Sequence, residues 1–80
     1  MTDVNEPHVL DLMGLKCPMP VLKTRKTLAG LSAGSRLEVL TTDPMAFLDI
    51  PHMCNEDGHT VEKVEKDGTR GRFFILKTNG

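Results

Sequence analysis

Residues 14 to 20 read Gly-Leu-Lys-Cys-Pro-Met-Pro, a thiol followed by two prolines that flank a methionine. The run after it has helical spacing. Val21, Thr24, Leu28 and Leu31 form a stripe, Leu22 and Ala29 widen it, and Lys23, Lys26 and Thr27 lie off it. Cys17 therefore falls at the N-cap or first turn of a helix. Proline is tolerated there because first-turn N–H groups have no intrahelical acceptor to lose, so Pro18 and Pro20 fix φ without breaking the ladder. A thiolate at a helix start gains from the macrodipole, from free N–H groups and from nearby Lys16, which leads us to expect a lowered thiol pKa.

The position three residues after Cys17 matters as much. A thioredoxin-type motif places a resolving cysteine there, and here it is Pro20. A sulfur atom loaded onto Cys17 as a persulfide would meet no adjacent thiol to strip it off. The arrangement suits a sulfur carrier and suits a dithiol oxidoreductase badly. The plainer reading of the same residues is a capped helix whose cysteine is a small buried filler.

Other chemistry-bearing residues point less sharply. Cys54 lies on the apolar stripe of a second helix with Ile50, which makes it a core residue; a redox pairing with Cys17 would need their Cα atoms within about 7 Å. His8, His52 and His59 lack the close spacings of a zinc site, so no metal is expected, and no cofactor is implied. Met13, Met45 and Met53 read as gap fillers in a core short of aromatics, whereas Met19, between the prolines, is expected to offer a partner an apolar contact beside the sulfur. Lys16, Lys23, Arg25 and Lys26 are expected to steer docking to an acidic protein surface. Direct nucleic-acid binding is not expected from a chain with no Trp or Tyr and a net charge of −1.

The elements that position these residues can be read from the remaining pattern. Eighty residues make one domain, with 1–8 and 78–80 as frayed ends, and 39% hydrophobic residues with only three Phe make its core aliphatic. So small a domain has little room for an enclosed pocket, and chemistry is expected on the surface. Two cysteines are not a disulfide framework, the polar acidic start has no secretory pattern, and no apolar run approaches a membrane span; a reducing cytoplasmic location follows, with a monomer expected when free. Charge is segregated. Leu12 to Leu37 contains five basic residues and no acid, whereas Asp43 to Asp67 contains seven acids against Lys63 and Lys66.

Val9 to Met13 reads as a strand with Leu10 and Leu12 on one face, Pro18 to Leu31 as a helix, and Arg36 to Thr41 as a second strand. Asp43-Pro44 is a helix start, with Asp as cap and Pro at the first position. The helix then runs to Gly58, and Pro51 is expected to kink or split it. His59 to Lys66 is a charged edge strand, Asp67-Gly68 a turn, and Arg72 to Lys77 a last strand. The order β-α-β-α-β-β, with a right-handed parallel first unit and a terminal hairpin, gives a two-layer α/β sandwich: a mixed four-stranded sheet with two helices on one face.

The motif and its surroundings resemble the TusA/SirA-like sulfur-carrier family, whose signature is Cys-Pro-x-Pro at the start of the first helix. Leu10-Asp11 and Gly14 precede the motif as in the family. Asp43-Pro44 with Ala46, Asp49-Ile50-Pro51 and Gly58-His59 follow at matching spacing, so the likeness covers about residues 9 to 77. The resemblance implies a sulfurtransferase-type relay without independent turnover. Cys17 would accept sulfane sulfur as a persulfide from a cysteine desulfurase or rhodanese-like donor and pass it to a downstream acceptor protein. Gly14, Pro18 and Pro20 would shape the tip. The destination it most readily implies is tRNA 2-thiouridine formation; molybdenum-cofactor biosynthesis, sulfur oxidation and a non-catalytic adaptor role are its alternatives.

Overall fold

Period-two burial defines the centre of the sheet. A computed structural model describes residues 8–78. In it, β2 (Arg36–Thr41) turns Leu37, Val39 and Thr41 inward, and β4 (Arg70–Leu76) turns Gly71, Phe73 and Ile75 to the same side. These two strands pair antiparallel, Val39 opposite Phe73. β1 (His8–Asp11) adds in parallel to β2, and β3 (Thr60–Asp67) adds antiparallel to β4, which gives the order β1-β2-β4-β3. Two helices, α1 (Met19–Ala29) and α2 (Ala46–Asp57), cover the face that carries Leu37, Val39, Phe73 and Ile75. They contribute Leu28, Ala46, Ile50, Met53 and Cys54 to one core. The expected two-layer sandwich is what the chain forms.

The uncovered face of the sheet is solvated by charge rather than by a third layer. Arg72 pairs with Glu38 at 3.2 Å and with Glu65 at 3.4 Å, and Arg36 pairs with Glu62 at 3.0 Å. Such exposed pairs add little stability, but they keep an amphipathic sheet face wet. Among the described residues, no helix is long and apolar enough to cross a membrane.

Several boundaries differ from the sequence reading, each for a local reason. β1 stops at Asp11 because its carboxylate accepts the Met13 N–H at 3.0 Å and turns the chain, although Leu12 still donates to Leu40 in the ladder direction. α1 ends at Ala29 rather than Leu31, because Gly30 and Leu31 donate back three residues, to Thr27 and Leu28. The buried Lys77 ammonium then takes the freed Leu31 carbonyl at 2.5 Å. Pro51 does not split α2. A proline there removes one donor in the second turn, and Ile50, Met53 and Cys54, all buried around it, hold the segment helical. The helix stops at Gly58, whose φ of +83° is one that glycine adopts without penalty. The hairpin turn is Gly68-Thr69, closed by the Asp67–Arg70 pair, so both of its strands run longer at the turn than expected. The ends are also more ordered than expected at their inner limits: His8 pairs with Leu37, and the Thr78 hydroxyl donates to the Gly58 carbonyl. The rest of the expected frayed ends, 1–7 and 79–80, lies outside the described residues.

Packing at the site end of the sheet depends on Gly71. A Cβ there would stand 2.9 Å from the Phe47 ring and from Thr41 Oγ1, and Phe47 packs on Phe73 with ring centroids 5.5 Å apart. Gly71→Ala is therefore expected to destabilise the fold by about 1–3 kcal/mol through overpacking, read as a lowered urea midpoint at unchanged m-value.

Candidate functional site

Because β1 and β2 run parallel and each is followed by a helix, the starts of α1 and α2 emerge at the same end of the sheet. The loop carrying Cys17 is fastened there to the loop before α2. Gly14, at φ +87°, donates its N–H to Thr42 Oγ1 at 2.8 Å; a Cβ at Gly14 would meet no atom, so its requirement is conformational. Lys16 to Met19 then forms a turn in which the Met19 N–H donates to the Lys16 carbonyl at 2.9 Å. The Cys17–Pro18 peptide is cis, as in type VI turns. Pro18 is the N-cap of α1, and its carbonyl accepts the first helical bond, from Leu22. Cys17 thus sits one residue before the cap, and its thiol is exposed.

Asp43 ties the two helix starts together. Its Oδ2 accepts the Cys17 N–H at 2.6 Å while Oδ1 accepts the Met45 N–H at 3.1 Å. The expected helix start at Asp43-Pro44 is instead a turn: α2 begins at Ala46 behind Met45 with no side-chain cap of its own, and the Asp43 carboxylate that closes this turn also grips the thiol's own backbone. From the first turn of α2, Asp49 reaches the sulfur itself: the Cys17 thiol donates to Asp49 Oδ2 over 3.4 Å.

This geometry reverses the expected electrostatics of the thiol. Its pKa is raised above the ordinary 9.0, first by the hydrogen bond to Asp49, then by partial desolvation and by the charges of Asp49 and Asp43. The helix-start argument fails for a concrete reason. Pro18 and Pro20 have no N–H to offer, and the Met19 N–H is spent on Lys16, so the prolines that shape the turn also delete the donors a thiolate would use. Asp43 and Asp49 were absent from the sequence-derived site. The signal that could have found them was topological, since two successive βα units on a parallel pair bring both helix starts together.

The other expected site residues separate into two groups. Lys16, Met19, Lys23 and Lys26 are exposed, and Pro20 is buried under the turn. Arg25 is not free for docking: it pairs with Asp57 at 2.8 Å and Glu56 at 3.6 Å, binding α1 to the C-terminal end of α2. Leu22, expected on the buried stripe, is 48% exposed; with Met19, Met45 and Leu48 it adds apolar surface to the two helix starts that flank the thiol. Sequence periodicity missed this because Met45 and Leu48 fit a helix pattern whichever way they face.

Cys54 is 1% exposed, and burial pushes its thiol up to about 11. It is the core residue expected, about five residues and 7.5 Å of helix rise beyond Asp49. His52 pairs with Glu56 on the surface of α2, His59 follows that helix, and His8 begins β1. Among the described residues no three His, Cys, Asp or Glu side chains gather as a metal site. A groove of about 390 Å³ lies over the end of β2, β4 and β3, lined by Leu40, Glu65, Lys66, Asp67, Arg70 and Arg72 among others, and Cys17 does not line it.

Comparison with known proteins covers nearly the whole chain. The family model described as sulfurtransferase TusA matches residues 8–77. A sulfur carrier protein TusA of Pseudomonas putida strain GB-1 is 39% identical over 77 residues, 96% of each chain, and the homologues of two further P. putida strains are 38% identical over the same length. Among solved structures, the SirA-like protein of Desulfitobacterium hafniense superposes with a TM-score of 0.76 at 29% identity, over 89% of this chain and 97% of that one.

Two outcomes are expected from this geometry. Alkylation of Cys17 by iodoacetamide, followed by intact mass, should still be accelerating as pH rises through 9.0, since the raised thiol pKa keeps the neutral form past the ordinary midpoint. Asp43→Ala should cost about 1–2 kcal/mol in urea unfolding, because it leaves two N–H groups without their acceptor.

Proposed function

The chain belongs to the TusA family of sulfurtransferases, and from that premise we propose that it carries sulfur as a persulfide on Cys17 between a donor and an acceptor protein. Family membership makes it a sulfur carrier with sulfur donor and acceptor partners in general. The observation that carries the finer reading is the exposed Cys17 thiol on a pinned turn, with the other thiol of the chain, Cys54, sealed in the core. In the first transfer the Cys17 sulfur attacks the terminal sulfur of the donor's persulfide. A new sulfur–sulfur bond forms as the donor's breaks, and the donor leaves as a thiol carrying the proton that Cys17 gave up. Cys17 is oxidised to the persulfide and the donor cysteine reduced, with no outside oxidant. An acceptor thiol repeats the exchange in the second transfer.

Pro20 supports the same reading, since a cysteine in its place would close a disulfide and expel the cargo. Met19, Leu22, Met45 and Leu48 supply apolar area for a protein face to seat on, while Lys16, Lys23 and Lys26 remain to steer the encounter. The donor is a cysteine desulfurase or a rhodanese-like protein, the destination is 2-thiouridine in tRNA, and the relay operates in the cytoplasm.

Incubation with a cysteine desulfurase and cysteine should add the mass of one sulfur atom to the chain, and Cys17→Ser should abolish the gain; a gain that survives the substitution defeats the reading. Deletion of the gene should deplete 2-thiouridine from hydrolysed tRNA. Unchanged 2-thiouridine beside a defect in molybdoenzyme activity or sulfur oxidation would redirect the relay to those destinations.

A further inference from the structure

Asp43 and Asp49 divide the site between them. Asp43 spends both oxygens on backbone N–H groups, Cys17 and Met45, and so has a structural task. Asp49 has none of that kind: its Oδ2 meets the Cys17 sulfur at 3.4 Å, and it stands in the first turn of α2, partly exposed, beside the exposed thiol. The other charged groups of this end are Lys16 on the thiol's own loop, exposed; Asp11, bonded to the Met13 N–H; Asp67 and Arg70 at the β3–β4 hairpin, with Lys66 4.9 Å over the Phe47 ring; and His52, one turn further along α2 and turned to Glu56 at 3.5 Å. A negative charge in contact with a sulfur disfavours its thiolate, the form that attacks.

We propose that Asp49 is a positioning residue that gates Cys17: it holds the sulfur as an unreactive thiol in the free chain, and it is the contact point for a cationic side chain of the sulfur donor, whose arrival neutralises it and releases the thiolate. This rests on the carrier reading for its partner half only. Bulk salt cannot do the same work, because charges 3.4 Å apart lie well inside a Debye length of about 8 Å at physiological ionic strength. The neutralising charge has to be delivered in contact, as a docked lysine or arginine delivers it. The gate separates two reactivities. Small electrophiles and oxidants meet a thiol, and the proper donor meets a nucleophile.

The released thiolate then attacks the donor's terminal sulfur. The bond between Cys17 and that sulfur forms, the donor's sulfur–sulfur bond breaks, and the donor cysteine leaves with the proton Cys17 lost. Electrons balance between the two cysteines.

Asp49→Asn keeps the side chain's shape and removes its charge, and Asp49→Glu keeps the charge. Circular dichroism establishes that both are folded. With iodoacetamide at pH 7.5, Asp49→Asn should react about threefold or more faster than the unaltered chain, its rate–pH profile should move to lower pH, and Asp49→Glu should stay near the original. With a cysteine desulfurase and cysteine, the order should invert, Asp49→Asn gaining sulfur about threefold or more slowly. An unchanged or slower alkylation of Asp49→Asn overturns the gate. Faster alkylation with undiminished loading overturns the cationic contact. If the unaltered chain takes no sulfur at all, the carrier reading and the partner half fall together, while the alkylation profile still decides the gate.

Discussion

One carboxylate holds the working end of this protein together. Asp43 accepts an N–H from the loop before α1 and another from the first turn before α2, so two helices that meet the sheet separately are locked at their starts. α1 has no capping side chain of its own and carries prolines where first-turn donors would be. Its approach is determined instead by the Lys16–Met19 turn and by this borrowed acceptor. Without that tie the Cys17 loop would be anchored to the β2–α2 loop through the Gly14–Thr42 bond alone among the backbone contacts seen here.

The same closure explains why charge near the thiol differs from charge along its helix. The basic residues of α1 and the acidic residues of α2 face each other at the far end, where Arg25 meets Glu56 and Asp57, and that pairing uses the cation that sequence order had assigned to docking. At the near end the acids win, because Asp43 and Asp49 project from α2 and its lead-in while Lys16, on the thiol's own loop, is exposed to solvent. A helix start is electropositive only insofar as its N–H groups are present and free. Two prolines and one turn bond remove most of them here.

A small two-layer fold also constrains where a partner can act. One sheet face is filled by two helices and the other is covered by the Arg72–Glu38–Glu65 and Arg36–Glu62 pairs, so neither layer encloses a substrate. What remains is an exposed tip with unusually apolar surroundings, Leu48 being 66% exposed. Chemistry on such a surface depends on a second protein to exclude water and complete the site.

Much of this was legible in the sequence, because local rules carried it. Alternation in Arg36–Thr41, Gly58 as a stop and Cys54 on an apolar stripe are all consequences of neighbours within a few residues, and each reappears in the fold. The place of Cys17 at the start of α1 followed from the two prolines after it. The thiol's protonation, the loss of Arg25 to an internal pair, the exposure of Leu22 and the integrity of α2 through Pro51 did not. They depend on residues 26 to 32 positions apart that only the parallel βα units bring together, or on burial that offsets a local cost. With Cys54 assigned to the core, the sequence by itself determined that the thiol at the start of the first helix would be that of Cys17. Tertiary structure alone decided its charge state, since a thiol's pKa responds to whatever stands within a few ångströms, and that was two carboxylates from the other helix.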